Sequence, residues 1–65
     1  MESKGIPEQV DYAAIPQLRR EAQEKFAKVR PRSLGQAARI SGISLSDVTL
    51  LEIHLERLRR QNALP

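Results

Sequence analysis

His54 is the only histidine in this 65-residue chain, and cysteine is absent. A zinc site needs several His, Cys or carboxylate ligands, so a lone histidine predicts no metal site. Ser44, Asp47 and His54 have the atom types of a nucleophilic triad, but helix capping already accounts for the serine and the aspartate. Glycine-rich phosphate loops are also missing from the sequence. These residues predict a binding module without a catalytic, metal or cofactor site of its own.

Basic side chains are concentrated in the middle of the chain. Residues 16–40 contain seven lysines and arginines against Glu21 and Glu24, whereas the whole chain has a net charge of +3. Such a cluster suits an anionic partner, with RNA or DNA first. The alternative is a solvated face that only keeps a small domain soluble. The candidates for phosphate contact are Lys25, Lys28, Arg30, Arg32 and Arg39.

An extended lead-in and a first helix must position this basic region. Residues 6–16 contain Pro7 and Pro16 among spaced apolar residues, which predicts an extended segment with a short turn at residues 8–12. Apolar side chains then recur with helical spacing, which predicts a first helix over residues 17–29. Pro31 disfavours helical geometry at Arg30 and ends that helix. Its apolar face consists of Leu18, Ala22, Phe26 and Val29.

Two capping patterns start the remaining helices. Ser33 followed by Gln36 predicts a short helix over residues 34–41, which Gly42 ends. Ser44 followed by Asp47 predicts a third helix over residues 45–61. The apolar stripe of the third helix is broad, because residues at its flank extend it, so either the other helices or a partner must cover it. The flanking residues are Leu50 and Ile53, and His54 lies one position off the stripe as a boundary packing residue.

The predicted fold is all-α, a small three-helix bundle with an extended, proline-containing N-terminal lead-in. We predict a helical domain over residues 6–61, preceded by a linker or cloning remnant at residues 1–5 and followed by a frayed tail at residues 62–65. No apolar run approaches the roughly 20 residues of a membrane span, and no secretory signal is visible. We therefore expect no membrane association.

A helix-turn-helix DNA-binding module is the alternative function. A short helix, the Gly42 turn and a second helix have the order of that motif. A DNA reader offers basic or amide side chains at the start of its recognition helix. The corresponding positions here are Ser44, Ser46, Asp47 and Thr49, none of which is a basic or amide residue. The basic residues of the chain's middle precede the motif instead. The sequence therefore favours another anionic partner.

The order of elements also resembles a known family. Ile6-Pro7 and Asp11-Tyr12 precede the block Arg30-Pro31-Arg32-Ser33-Leu34-Gly35-Gln36-Ala37-Ala38-Arg39-Ile40-Ser41-Gly42-Ile43. This looks like the C-terminal helical domain of the GidA/MnmG family, the FAD-dependent tRNA uridine 5-carboxymethylaminomethyl modification enzymes. The resemblance covers residues 6–57. Two departures lie at helix starts, where Arg19 replaces the family's usual serine and Ser44-Leu45-Ser46-Asp47 replaces Thr-Pro-Ala-Ala.

The resemblance implies a non-catalytic part of a larger cytoplasmic enzyme. Its parent would be a homodimer that modifies the wobble uridine of tRNA with FAD, NADH and methylenetetrahydrofolate, together with the GTPase MnmE. FAD and NADH would bind upstream domains that are absent here. The helical domain would hold tRNA through the basic candidates, dock the GTPase, or do both. The docking or motif candidates are Gly35, Gln36, Leu50, Ile53 and His54.

Overall fold

Three α-helices follow a short 3₁₀ turn along the chain. The computed structural model describes residues 5–63, with side chains through residue 61. The elements are the 3₁₀ turn Tyr12–Ala14, α1 Arg20–Val29, α2 Leu34–Ala38 and α3 Leu45–Ala63. The described residues contain no named strand, only an isolated bridge between Gly5 and Ser33. The predicted all-α, three-helix class is confirmed, whereas residues 1–4 and 64–65 of the predicted linker and tail lie outside the described residues.

The lead-in forms part of the core. Its apolar side chains are buried, and the backbone N–H of Ile6 donates to the carbonyl of Arg32 at 2.8 Å. A reverse turn lies at residues 8 and 9, and the Asp11 carboxylate then accepts from the N–H of Ala13 at 3.1 Å and caps the 3₁₀ turn. The turn predicted at residues 8–12 is therefore divided into two. The buried lead-in residues are Ile6, Val10, Tyr12, Ile15 and Leu18.

Helix α1 begins three residues later than predicted. The N–H of Leu18 donates to the carbonyl of Ile15 at 3.1 Å, so the chain is still turning after Pro16. Arg19 is the N-cap but makes no side-chain capping bond. Phe26 is fully buried, whereas Val29 is 47% exposed. The prediction that Val29 joins the core face was wrong, because the helix ends there and the chain leaves it through Arg30 in a left-handed conformation.

Helix α2 is shorter than predicted and ends at Ala38. The Ser33 hydroxyl accepts from the N–H of Gln36 at 3.1 Å, which confirms the cap. The Gln36 side chain does not return to the Ser33 N–H as a capping box would require, since its oxygen accepts from the N–H of Arg32 at 2.9 Å. Bonds from Arg39 to Gln36 and from Ile40 to Ala37 then tighten the last turn. This tightening ends α2 before Gly42 is reached.

Helix α3 is the longest of the described helices and has fully buried side chains only in its first half. Its 19 residues span about 28 Å, against about 15 Å for the 10 residues of α1. Its buried side chains, Asp47, Val48 and Leu51, all lie in its first half, and none of residues 52–61 is fully buried. Helix α3 also runs two residues past its predicted end at residue 61. Its second half therefore carries partly uncovered apolar surface.

Candidate RNA-binding and docking surfaces

Arg30 joins the lead-in to the end of α1. Its backbone has φ of 51°, and its N–H donates to the carbonyl of Phe26 at 2.7 Å. Its Nη2 donates to the carbonyl of Glu8 and, at 3.3 Å, to that of Val10. Its guanidinium carbon lies 5.5 Å from the centre of the Tyr12 ring, within cation–π range. The fold therefore uses several donors of this candidate, while the residue as a whole stays exposed.

A surface cleft of about 370 Å³ lies beside Arg30, and we call it the Arg-Pro-Arg cleft. It is lined by Ile6–Glu8, Tyr12 and Arg30–Arg32. Tyr12 is 3% exposed, and burial raises the pKa of its hydroxyl, with Arg30 opposing part of that rise. Pro31 is buried in this segment and Arg32 is exposed. The cleft thus combines apolar walls with two guanidinium groups.

Lys25 contacts the turn between α2 and α3. Its ammonium donates to the carbonyl of Ser41 at 2.8 Å and lies 3.6 Å from a carboxylate oxygen of Glu21. It also covers Gly42, whose φ is 89°. Arg39, the C-cap of α2, is exposed and likewise has an interaction within the protein. These two candidates therefore already have partners within the chain.

Lys28 and Arg32 are the basic candidates with the most accessible charge. Both are exposed, and neither side chain forms a hydrogen bond or ion pair with any residue in the described part of the chain. Glu24, one helical turn before Lys28, lies 3.4 Å from Arg20. Phosphate groups could therefore approach Lys28 and Arg32 without breaking an internal bond.

An ion pair between Arg19 and Asp47 was not predicted from the sequence. The Arg19 Nη2 and Nε donate to the two Asp47 carboxylate oxygens at 2.6 and 3.2 Å, and Nη2 also donates to the Gly42 carbonyl at 3.1 Å. Asp47 further accepts from the Ser44 N–H at 2.9 Å, which confirms the second capping box. The hydrogen bond from Arg19 lowers the pKa of Asp47 to about 2. No sequence pattern links these positions, because they are 28 residues apart.

The docking candidates differ in their exposure. Gly35 is buried in α2, and the exposed Gln36 is engaged with the Arg32 backbone. On α3, Leu50 packs against the core at its edge, His54 is half-buried and Ile53 is 46% exposed. Only Ile53 among these therefore offers a largely exposed apolar side chain. Leu45, which is 74% exposed at the start of α3, was not anticipated.

Among the described residues, no group of three or more His, Cys, Asp or Glu side chains is placed to hold a metal ion. None of the described helices has the length and apolar character needed to cross a membrane.

A family model described as the tRNA modifying enzyme MnmG/GidA C-terminal helical bundle matches residues 1–64. The chain belongs to this family. It is 48% identical over 61 residues to the tRNA uridine 5-carboxymethylaminomethyl modification enzyme MnmG of Lachnoclostridium phytofermentans, covering 94% of this chain and 10% of the relative. The corresponding enzyme of Alkaliphilus metalliredigens is 49% identical over 61 residues, with the same coverage. This chain thus spans about a tenth of the length of these curated relatives.

Solved structures of Aquifex aeolicus GidA share the fold. The form I crystal structure matches with a TM-score of 0.78 and 43% identity, over 82% of this chain and 9% of that one. The form II structure gives a TM-score of 0.80 and 44% identity, over 83% and 9%. The family prediction from the Arg30–Ile43 block is therefore confirmed. None of these comparisons supports the helix-turn-helix DNA-binding alternative.

Proposed function

We propose that this chain is the non-catalytic C-terminal module of an FAD-dependent tRNA wobble-uridine modification enzyme, and that it holds tRNA. The observation that carries the proposal is the pair of exposed cations, Lys28 and Arg32, which have no bonding partner among the described residues. Family membership supports tRNA as the anionic partner, since the relatives are named as tRNA-modifying enzymes. Cationic side chains bind the nucleic-acid backbone by neutralising phosphates and releasing counterions.

The chemistry of modification belongs, in this proposal, to the rest of the parent enzyme. This chain does not fit FAD or NADH, because it has no Gly-x-Gly-x-x-Gly turn to receive a pyrophosphate. The module's own residues bind and orient, and we assign it no catalytic step. A dimeric parent in the cytoplasm completes the proposal.

Docking of the GTPase MnmE is a second candidate role, on a different surface. It is favoured by the second half of α3, where Ile53 is 46% exposed and no described side chain is fully buried. Apolar contact of this kind should depend weakly on salt, whereas phosphate contact should weaken steeply as salt rises. The two roles are therefore separable by experiment and compatible with each other.

Titration of labelled tRNA at several salt concentrations tests the RNA role. The double variant Lys28→Gln/Arg32→Gln should bind about tenfold more weakly at low salt, because two phosphate contacts are lost. The slope of log affinity against log salt should also become shallower by about 1.5. The matched control is Arg57→Gln/Arg60→Gln, which removes two exposed arginines from the far end of α3.

The control should leave both the affinity and the slope within twofold of the unaltered chain. Equal losses in the two double variants would contradict the assignment, because they would show only a response to net charge. Absence of tRNA binding by the unaltered chain at low salt would reject the RNA role altogether.

A further inference from the structure

The Arg-Pro-Arg cleft has the size and lining of a site for a small ligand. At about 370 Å³ it is within the range of small-molecule pockets and can admit a single nucleotide. Pro7 and Pro31 supply apolar surface, and Arg30 and Arg32 supply positive charge. A nucleotide has one part that matches each of these surfaces, since its base is flat and largely apolar on both faces and its phosphate is anionic. The apolar and positively charged surfaces of the cleft therefore point to a nucleotide as its ligand.

Three flat groups contact one another in series and end at this cleft. The Phe26 and Tyr12 ring centres are 5.4 Å apart with the rings tilted by 35°, and the Arg30 guanidinium carbon lies 5.5 Å from the Tyr12 ring centre. Phe26 is fully buried, Tyr12 is almost so, and Arg30 is exposed. This series of contacts therefore runs from the core to the surface and ends in a guanidinium group. Arginine planes and aromatic rings are the usual platforms for unstacked RNA bases.

The Arg30 guanidinium is held in place rather than free to follow a phosphate. The carbonyls of Glu8 and Val10 accept hydrogen bonds from its Nη2, whose N–H groups lie in the plane of the guanidinium. Such bonds fix the orientation of the plane while leaving its faces open to stacking. The guanidinium carbon lies over the Tyr12 ring on the core side, and the exposed side of the group is available to a further flat group. Arg30 is thus better suited to carry a base than to track a backbone.

We propose that the Arg-Pro-Arg cleft binds one unstacked nucleotide of an RNA strand, with the base on the outer face of the Arg30 guanidinium and the phosphate beside Arg32. This inference rests on the proposed RNA role of the module and gives it a defined subsite. Glu8 adds a carboxylate to the lining, which disfavours a phosphate at that end of the cleft. The exposed Arg32 side chain, which no described residue engages, is the remaining phosphate partner.

A comparison of two RNA strands tests the subsite without changing the protein. One is a single-stranded octanucleotide, and the other has the same number of phosphates but abasic units in place of nucleosides. Both are titrated at the same salt concentration, with tRNA in parallel. The base-containing strand should bind about tenfold more tightly, because one stacked base is lost from the abasic strand.

Equal affinity for the two strands would overturn the cleft proposal while leaving tRNA holding intact, provided tRNA binds. If tRNA itself does not bind, the proposed function fails, and that failure is distinguishable from the first. Free uridine monophosphate forms a third arm. It should shift the Tyr12 ring resonances, which are unambiguous because Tyr12 is the only tyrosine. Binding of either ligand without a Tyr12 shift would also overturn the subsite.

Lysine substitutions separate stacking from charge. Arg30→Lys keeps the positive charge but removes the plane, so it should abolish the preference for the base-containing strand. Arg32→Lys keeps a phosphate-binding cation, so it should retain that preference and lose no more than about threefold in affinity. Thermal unfolding shows whether each variant is folded. Retention of the full preference by a folded Arg30→Lys variant would contradict the stacking role. If that variant does not fold, the comparison of the two strands on the unaltered chain decides whether the cleft binds a base.

Discussion

At the scale of single residues, basic side chains in this bundle divide into structural and available groups. Arg19, Lys25 and Arg30 donate to carboxylates or carbonyls of other segments. Lys28 and Arg32 have no such bonds with described residues. The sequence predicted the whole cluster but not this division, since it depends on which carbonyls each guanidinium or ammonium group reaches. The RNA role of all five candidates stays a prediction.

Asp47 should make the stability of the fold depend on acid pH. Its pKa is about 2 in the folded protein, against an ordinary value of 3.8. The stabilisation is therefore complete above pH 4 and is lost as the pH falls through 2. We expect Asp47→Asn to lower the free energy of unfolding by about 1 to 2 kcal/mol at pH 7, because the half-exposed Arg19 is partly screened by solvent. Urea unfolding at pH 7 and pH 2.5 measures this.

The matched control is Asp11→Asn, since Asp11 is an exposed capping aspartate without an arginine partner in the described structure. At pH 7 this substitution should lower the free energy of unfolding by less than Asp47→Asn does. A cost for Asp47→Asn that does not shrink at pH 2.5 would show that the carboxylate charge is not the stabilising feature.

Gly42 should tolerate no side chain without loss of stability. Its φ of 89° is strained for an L-residue, and a Cβ would displace the Lys25 ammonium from Ser41. We expect Gly42→Ala to lower the free energy of unfolding by about 1 to 2 kcal/mol. Gly5→Ala is the control, because its Cβ would meet only the Arg32 carbonyl at 3.9 Å. Repeating Gly42→Ala in a Lys25→Ala background isolates backbone strain, and a cost that disappears there would assign the effect to Lys25.

At the scale of elements, helix starts were predicted better than helix ends. Ser33 and Ser44 cap α2 and α3 where the sequence placed them, since a capping side chain acts within three residues. The start of α1 moved from residue 17 to Arg20, and the end of α2 moved from residue 41 to Ala38. Both shifts come from turns whose partners are fixed by tertiary packing, so local propensity could not place them.

Ser33 should be the residue that maintains α2. We expect Ser33→Ala to cost about 1 kcal/mol of unfolding free energy, because the N–H of Gln36 loses its acceptor. Ser33→Asp should restore most of this, since a carboxylate caps equally well. Ser46→Ala, at an exposed serine inside α3, is the control and should stay within about 0.5 kcal/mol. Identical effects of Ser33→Ala and Ser46→Ala in thermal or urea unfolding would argue against the cap.

The ion pair between α1 and α3 links two departures from the family pattern. Arg19 stands where the family usually has a serine, and Asp47 falls within the segment that replaces Thr-Pro-Ala-Ala. The Arg19 departure removes a serine cap from the start of α1, whereas Ser44 still caps α3. In the structure the two side chains bind each other at 2.6 Å, so an interhelical contact replaces the lost local cap. A single sequence contained both residues but gave no reason to pair them.

At the scale of the whole molecule, the bundle presents two surfaces with different chemistry. The Arg-Pro-Arg cleft lies where the lead-in crosses the end of α1, with Arg32 exposed there and Lys28 in the last turn of α1. The second half of α3 has no fully buried side chain among its described residues and exposes Ile53. The family and fold class could be predicted from the long Arg30–Ile43 block and the helical periodicity. The cleft could not be predicted from the sequence, because residues 6–8 and 30–32 form it only when they meet in space.

Chemical-shift mapping of the chain with tRNA tests whether this module holds tRNA. We predict salt-sensitive shifts in the backbone signals of residues 28–32 and in the Tyr12 ring, with residues 53–60 of α3 unchanged. Subsequent addition of the GTPase should perturb α3 around Ile53 instead. Shifts from tRNA that are confined to α3, or that leave residues 28–32 unmoved at low salt, would contradict the assignment of this module as a tRNA-holding domain.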